Sequence, residues 1–187
     1  PGKGLAIIMQ NSPRWLDVFF GQQKLGMYAV PVNVALRGDQ LAHVIDNSDA
    51  SLVVIDHDLL PYYQAVAEKL LKIEKVIVNS EGAPAAFELP GGMEDLSAAY
   101  GPGSDASTPL ERYDPSDLCV LMYTSGTTGL PKGVVYRYSN TNVKAISIVG
   151  RLLTNKSDVA YTCYPLFHAN ALFLTVTPAM HCEGSVA

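Results

Sequence analysis

The sequence contains little charge and few cysteines. Charged residues make up 17% of the 187 residues and the net charge is −5, which argues against a broad basic surface for nucleic acid. The three cysteines, Cys119, Cys163 and Cys182, do not have the spacing of a zinc site. We interpret them as reduced and mostly buried thiols.

The sequence also lacks an apolar run long enough to cross a membrane. The longest such run, residues 171–180, includes two threonines and a proline, whereas a spanning helix needs about 20 apolar residues. We therefore expect a cytoplasmic protein, and peripheral contact with a membrane stays open as an alternative. The first and last residues lie directly beside strand-like sequence, so we expect a piece of a longer protein.

Short apolar runs alternate with helical patterns along the whole chain. Because the runs are almost continuous in Val, Ile and Leu, they indicate strands that are covered on both faces. The pattern predicts an α/β fold with a mostly parallel sheet flanked by helices. The predicted strands are residues 5–9, 29–32, 51–56, 75–78, 118–122, 134–136 and 159–164. The predicted helices are residues 13–25, 39–47, 59–71, 140–153 and 167–180, and Ser12 is expected to cap the first.

Residues 80–116 are rich in Pro, Gly and Ser. Such a composition fits a linker between domains or a long surface loop within one domain. We favour the loop, because strand-like sequence resumes at Leu118 in the same style. A short helix is expected near residues 94–100.

One stretch, YTSGTTGLPKG at residues 123–133, combines glycines, hydroxyls and a cation. Glycines let the backbone approach a ligand closely, and their N–H groups can converge on an anion. Hydroxyls add donors, and Lys132 adds a mobile positive charge. A plain hairpin turn needs only about two to five residues and none of this chemistry. We therefore predict a binding site for a polyphosphate and call residues 123–133 the phosphate loop.

The phosphate loop is not the P-loop of the common NTPases. That motif has four residues between its glycines, followed by Gly-Lys-Ser/Thr. Here Gly126 and Gly129 are two residues apart, and Lys132 is followed by Gly133. A strand-like segment follows in place of a helix, so a kinase or ATPase of that type is disfavoured.

The residues YTSGTTGLPKGV, 123–134, resemble the phosphate-binding signature of the adenylate-forming (AMP-binding) enzymes. The ending Leu-Pro-Lys-Gly-Val is most similar to the acyl-CoA synthetase, or fatty-acid–CoA ligase, branch. Residues 11–33 resemble an early helix of that family and the Gly-x-x-x-x-Pro-x-Asn turn after it. PLFHANA, residues 165–171, resembles a second family motif in which a histidine follows an aromatic residue.

The resemblance implies that the chain is part of the large N-terminal domain of such an enzyme and roughly a third of its length. Residues 1–136 would form most of a first α/β subdomain that includes the long loop 80–116. Residues 137–187 would begin a second subdomain, and the C-terminal domain would lie outside the chain. We therefore expect these 187 residues alone to be inactive.

The resemblance also implies a reaction in two steps. A carboxylate attacks the α-phosphorus of ATP to give an acyl-adenylate and pyrophosphate, and the thiol of coenzyme A then displaces AMP. Thr124 would contact Mg²⁺, and His168 would lie near the acyl carboxylate and the α-phosphate. The residues implied to hold the β- and γ-phosphates are Thr124, Ser125, Gly126, Thr127, Thr128, Gly129 and Lys132.

Some positions depart from the family pattern. Tyr138 stands where many members have a histidine, so the role of that histidine cannot be transferred. Leu172 stands where some long-chain fatty acyl members have a tryptophan, which weakens the case for a long-chain gate. The sequence does not identify the acid, although a fatty acid is the default, and it leaves the oligomeric state open.

Other residues have simpler interpretations. Trp15, Phe19 and Phe20 are expected in the core rather than in an acyl site. His43, His57 and His181 are interpreted as surface or structural residues, because the sequence around them does not pair them with other catalytic or metal-binding residues.

Two other function classes stay open. The first is a non-catalytic module that binds a nucleotide or acyl group, which an early stop downstream in the gene would indicate. The second is an adenylation domain of the peptide-synthetase type, which flanking carrier domains would reveal, or a luciferase-like oxidase.

Overall fold

The computed structural model describes residues 2–100, 112–124, 129–140, 145, 148, 150 and 152–187. A seven-stranded sheet has the order β5-β4-β3-β1-β2-β6-β7, in which every neighbouring pair is parallel except β6 and β7. The predicted mostly parallel sheet is therefore confirmed. Its strands are β1 (Gly4–Ile8), β2 (Tyr28–Pro31), β3 (Ala50–Asp56), β4 (Lys75–Asn79), β5 (Glu94–Asp95), β6 (Leu118–Thr124) and β7 (Lys132–Arg137).

Helices cover both faces of the sheet, as the continuous apolar strands require. Side chains alternate between the faces of a strand, so Ala6 and Ile8 pack on one side and Leu5 and Ile7 on the other. The first face carries α2 and α3, and the second carries α1 and the segment that precedes α4. The helices are α1 (Pro13–Lys24), α2 (Gly38–Asn47), α3 (Leu60–Gln64) and α4 (Thr177–His181).

Helix α1 begins as its sequence predicts. The Ser12 hydroxyl accepts a hydrogen bond from the Trp15 backbone N–H at 3.2 Å, and Pro13 occupies the first turn. Trp15 and Phe19 are buried in the core as expected, while Phe20 is only half-buried at its edge.

Two predicted helices are shorter or absent. The helix expected over residues 59–71 ends at Gln64, because Val66 leaves the helical region and a 3₁₀ turn, Ala67–Lys69, follows. Val66 and Leu70 reach the core from this irregular segment. The helix expected near residues 94–100 is strand β5 and a 3₁₀ turn, because Glu94 and Asp95 pair with the exposed edge of β4.

The last third of the chain also differs from its predicted elements. Of the strand expected over residues 159–164, only β8 (Val159–Ala160) forms, parallel to β9 (Ser185–Val186). The helix expected over residues 167–180 is a π-helical segment, Asn170–Val176, followed by α4. Pro178 is the second residue of α4, which continues directly from the π-helical segment, so the change of helix type lies next to this proline.

The remaining predictions concern the second subdomain and the thiols. Of the helix predicted over residues 140–153, residues 145, 148, 150, 152 and 153 are helical, residue 140 is not, and the others lie outside the described residues. In the part of the chain that the structure describes, no helix is long and apolar enough to cross a membrane. All three thiols are free, and none is fully buried. Cys119 and Cys182 are half-buried and Cys163, beyond the end of β8, is exposed, which corrects the expectation of mostly buried thiols.

Candidate functional site

The phosphate loop joins the two antiparallel strands β6 and β7. Thr124 ends β6 and pairs with Lys132, the first residue of β7. The Thr124 hydroxyl lies 3.5 Å from the Lys132 carbonyl oxygen, which is a long contact that leaves the hydroxyl free to rotate. Both side chains and Gly129 are exposed. Ser125, Gly126, Thr127 and Thr128, the other residues predicted to contact phosphate, lie outside the described residues.

The Lys132 ammonium is available for an anion. Eight ion pairs are found among the described residues, and none of them includes Lys132. An ammonium group without a carboxylate partner is able to donate hydrogen bonds to a phosphate without first breaking a salt bridge.

His168 lies in the turn before the π-helical segment. Its backbone N–H donates to the Pro165 carbonyl at 2.9 Å, and its carbonyl accepts from Leu172 N–H at 3.2 Å. The side chain is exposed, and its ring contacts those of Phe167 and Tyr164, with centroids 4.6 and 6.3 Å away. The backbone is thus fixed on both sides while the imidazole faces outwards.

Asn11 attaches this turn to the sheet, which the sequence did not predict. Its Nδ2 donates to the Tyr164 carbonyl at 3.2 Å, and its Oδ1 accepts from Leu166 N–H at 2.7 Å. Asn11 follows the carboxyl end of β1, and the phosphate loop follows the carboxyl end of β6. Because β1, β2 and β6 are parallel, both loops lie at the carboxyl edge of the sheet, where ligands of α/β sheets bind.

Replacing Asn11 with alanine is expected to destabilise the fold by about 1 kcal/mol, because the Leu166 N–H loses its acceptor in a partly buried turn. Urea unfolding followed by circular dichroism measures this change. Asn33→Ala is the matched control, since it removes only a local bond from Ala35 N–H to Asn33 Oδ1. Equal destabilisation by the two variants would show that the bonds of Asn11 to Tyr164 and Leu166 do not stabilise the turn.

His43 makes a structural contact whose partner the sequence did not predict. Its Nε2 lies 3.0 Å from the carbonyl oxygen of Pro131, within the phosphate loop. The sequence offered no signal for this contact, because the two residues are 88 positions apart. His57 and His181 contact neither the phosphate loop nor the turn at His168 in the described part of the chain.

Three groups with shifted pKa values lie away from the exposed phosphate-loop side chains. Burial raises the pKa of Asp56, and hydrogen bonds from Asn79 Nδ2 and Gln10 N–H oppose that rise. The same two bonds connect the ends of β1, β3 and β4 through this carboxyl group. Burial raises the pKa of the Cys119 thiol to about 11, which makes it a poor nucleophile. Burial also raises the pKa of Tyr138, whose ring stacks on Tyr113 with centroids 4.1 Å apart.

Thr124 fits the expected contact with magnesium. No group of three or more His, Cys, Asp or Glu side chains that could hold a metal ion occurs among the described residues. Mg²⁺ prefers oxygen ligands and commonly uses one or two protein groups together with phosphates and water. The exposed Thr124 hydroxyl, within the phosphate loop, is able to supply one such oxygen.

Two apolar features lie apart from these residues. Leu172 is completely buried in the core, so it does not line an open acyl channel in this chain. A cavity of about 790 Å³ lies between α1 and the sheet, and its walls include Leu5, Leu52 and Ile77. Neither the described residues of the phosphate loop nor residues 164–168 line this cavity.

Comparison with known proteins identifies the family of this chain. A model of the AMP-binding enzyme family matches residues 1–187. The 4-hydroxybutyrate–CoA ligase 2 of Metallosphaera sedula is 30% identical over 171 residues, which cover 88% of this chain and 30% of that protein. The long-chain-fatty-acid–CoA ligase of Thermus thermophilus is 28% identical over 172 residues, which cover 91% of this chain and 30% of that protein.

A solved structure shows the same fold. The anthranilate CoA ligase AuaEII, crystallised in complex with anthranoyl-AMP, matches with a TM-score of 0.81 and 22% identity over 99% of this chain and 35% of that one. The chain thus spans about a third of the length of the relatives it matches. With a family model that matches all 187 residues and relatives that are CoA ligases, the chain belongs to the AMP-binding enzyme family.

Proposed function

We propose that the full-length protein containing this chain is an ATP-dependent acyl-CoA synthetase. A carboxylate would react with ATP to give an acyl-adenylate and pyrophosphate, and coenzyme A would then form the thioester and release AMP. The observation that supports this most is the β6–β7 hairpin, which presents Thr124 and Lys132 side by side at the carboxyl edge of the sheet, with no ion pair from Lys132 to another described residue.

The difficulty of the first step is electrostatic, because a carboxylate must approach a polyanion and pyrophosphate must leave. Positioned donors aimed at the departing phosphates stabilise that transition state. The Lys132 ammonium and the Thr124 hydroxyl would bind the β- and γ-phosphates together with Gly129. Ser125, Gly126, Thr127 and Thr128 are proposed to add the remaining donors. Mg²⁺, when bound, supplies charge neutralisation at the phosphates, and the Thr124 hydroxyl would be one of its ligands.

His168 is the proposed contact for the acyl carboxylate and the α-phosphate. An exposed imidazole on a fixed turn is able to donate a hydrogen bond to either anion. Asn11 would keep that turn at the carboxyl edge of the sheet through its bonds on either side of Pro165.

The substrate is proposed to be a carboxylic acid, with a fatty acid as the default. The relatives named above are ligases of 4-hydroxybutyrate and of long-chain fatty acids, so the choice among acids needs measurement. We further propose that residues 1–136 form most of the first subdomain and that residues 137–187 begin the second.

The decisive experiment is carboxylate-dependent ATP–pyrophosphate exchange by the full-length protein with a panel of short, medium, long, aryl and carnitine-like acids. Exchange with one class of acid would establish adenylation and name the substrate class together. The 187-residue chain, assayed in parallel, is expected to be inactive, and acyl-AMP formation by it would refute that expectation. If the full-length protein folds and binds ATP but shows no ATP–pyrophosphate exchange with any acid, the proposed synthetase activity is refuted and a binding module is favoured.

A further inference from the structure

Helix α2 contacts both sides of the phosphate loop. On one side, His43 Nε2 lies 3.0 Å from the carbonyl oxygen of Pro131, the residue before Lys132. On the other, the Tyr123 hydroxyl donates to Asn47 Oδ1 at 2.8 Å. His43 and Asn47 are four residues apart and therefore lie on one face of the helix, one turn from each other.

The chemistry of these contacts makes them persistent. The Pro131 carbonyl only accepts, so His43 must carry its proton on Nε2, in the neutral tautomer or as the cation. Burial raises the pKa of Tyr123 to about 12, so its hydroxyl remains a donor throughout the pH range in which enzymes work. The His43 and Tyr123 rings also meet edge to face, with centroids 6.5 Å apart.

The packing around the contacts is close. Helix α2 is fixed to the sheet by Val44 and Ile45, which are completely buried. Gly133 lies opposite Tyr123 in the hairpin. A Cβ atom added to Gly133 would lie only 3.3 Å from Tyr123 Cζ and 3.0 Å from Leu121 Cδ1, which is closer than ordinary van der Waals contact. The absence of a side chain at Gly133 thus lets the Tyr123 ring lie across β7 and reach the helix.

We propose that His43 and Asn47 are positioning residues that hold the two stems of the phosphate loop at a fixed separation. Residues 123 and 131 each precede a proposed phosphate ligand, Thr124 or Lys132, by one position. Fixing those stems sets the direction from which the hydroxyl and the ammonium approach the nucleotide. A misplacement of about 1 Å in such groups can cost about 100-fold in rate. The inference rests on the proposed function in one respect, namely that the ligand is ATP.

The test uses the full-length protein and separates ATP from the acid. His43→Ala, Asn47→Ala and Tyr123→Phe are expected to raise KM for ATP roughly tenfold, while KM for the acid stays unchanged. His43→Gln, whose amide N–H is able to donate to Pro131, is expected to restore most of the loss. Tyr123→Phe and Asn47→Ala remove the same bond, so their combined effect should equal that of either one alone.

Asp39→Asn is the control on the same helix. Its carboxylate pairs with Lys69 at 2.6 Å and has no contact with the described residues of the phosphate loop, so KM for ATP should not change. The proposal would be overturned if KM for ATP did not change in the His43 and Tyr123 variants. It would also be overturned if KM for the acid rose as much as KM for ATP, or if His43→Gln restored none of the loss. Equilibrium binding of ATP by calorimetry gives a second readout. If the wild type exchanges with no acid, the proposed function fails, and a loss of ATP affinity in the variants still decides the inference.

Discussion

Replacing Lys132 with alanine is expected to lower carboxylate-dependent ATP–pyrophosphate exchange by about 10²–10³-fold, the usual cost of removing one preorganised donor from a developing anion. Lys132 is the first residue of β7, and its position is set by pairing with Thr124 rather than by the loop alone. No ion pair among the described residues competes for its charge. The loss should therefore appear in kcat as well as in KM for ATP.

Two variants test the chemistry of this position. Lys132→Arg keeps the charge but replaces a compact ammonium with a planar fork, so it should recover only part of the activity. Thr124→Ala is expected to act in the same direction as Lys132→Ala, and Thr124→Ser, which keeps the hydroxyl, should retain most of the exchange.

Lys156→Ala is the matched control for loss of a positive charge. Lys156 is 77% exposed and pairs with Glu183, and such exposed pairs contribute little to stability. Its exchange should equal that of the wild type. If Lys132→Ala behaved like Lys156→Ala, the phosphate loop would not hold the phosphates through this ammonium.

Trp15→Ala is expected to destabilise the fold by about 3–5 kcal/mol, a large part of the 5–15 kcal/mol typical of a domain. Trp15 is 1% exposed and stacks on Phe19 with ring centroids 5.3 Å apart. It belongs to the same buried cluster as Leu166, so its removal also loosens the support of the turn at His168.

Urea unfolding followed by far-UV circular dichroism measures this change, because Trp15 is the only tryptophan and fluorescence would be lost with it. Leu71→Ala is the control, since Leu71 is 90% exposed and its removal should change stability by less than about 0.5 kcal/mol. A change below about 1 kcal/mol in Trp15→Ala would show that α1 is not anchored through this ring.

The regular parts of the fold were predictable because their signals are local. Val, Ile and Leu runs located β1, β3, β4 and β6, and the Ser12–Pro13 pair located the start of α1. Regions with weaker local signals were predicted less well. The helix expected over residues 59–71 is interrupted because Val66 and Leu70 turn into the core, and the edge of β4 recruits Glu94 and Asp95 as a strand.

The sequence by itself determined the mostly parallel α/β sheet and predicted a polyphosphate site at residues 123–133, because both depend on residue types and spacings within a few positions of each other. Only the tertiary structure decided how the loops at the carboxyl edge are held. Asn11 bonds to residues 153 and 155 positions away, and His43 bonds to one 88 positions away. Such contacts join side chains to backbone atoms that any residue supplies, so they leave no pattern in the sequence and arise only when the strands have placed their ends at one edge.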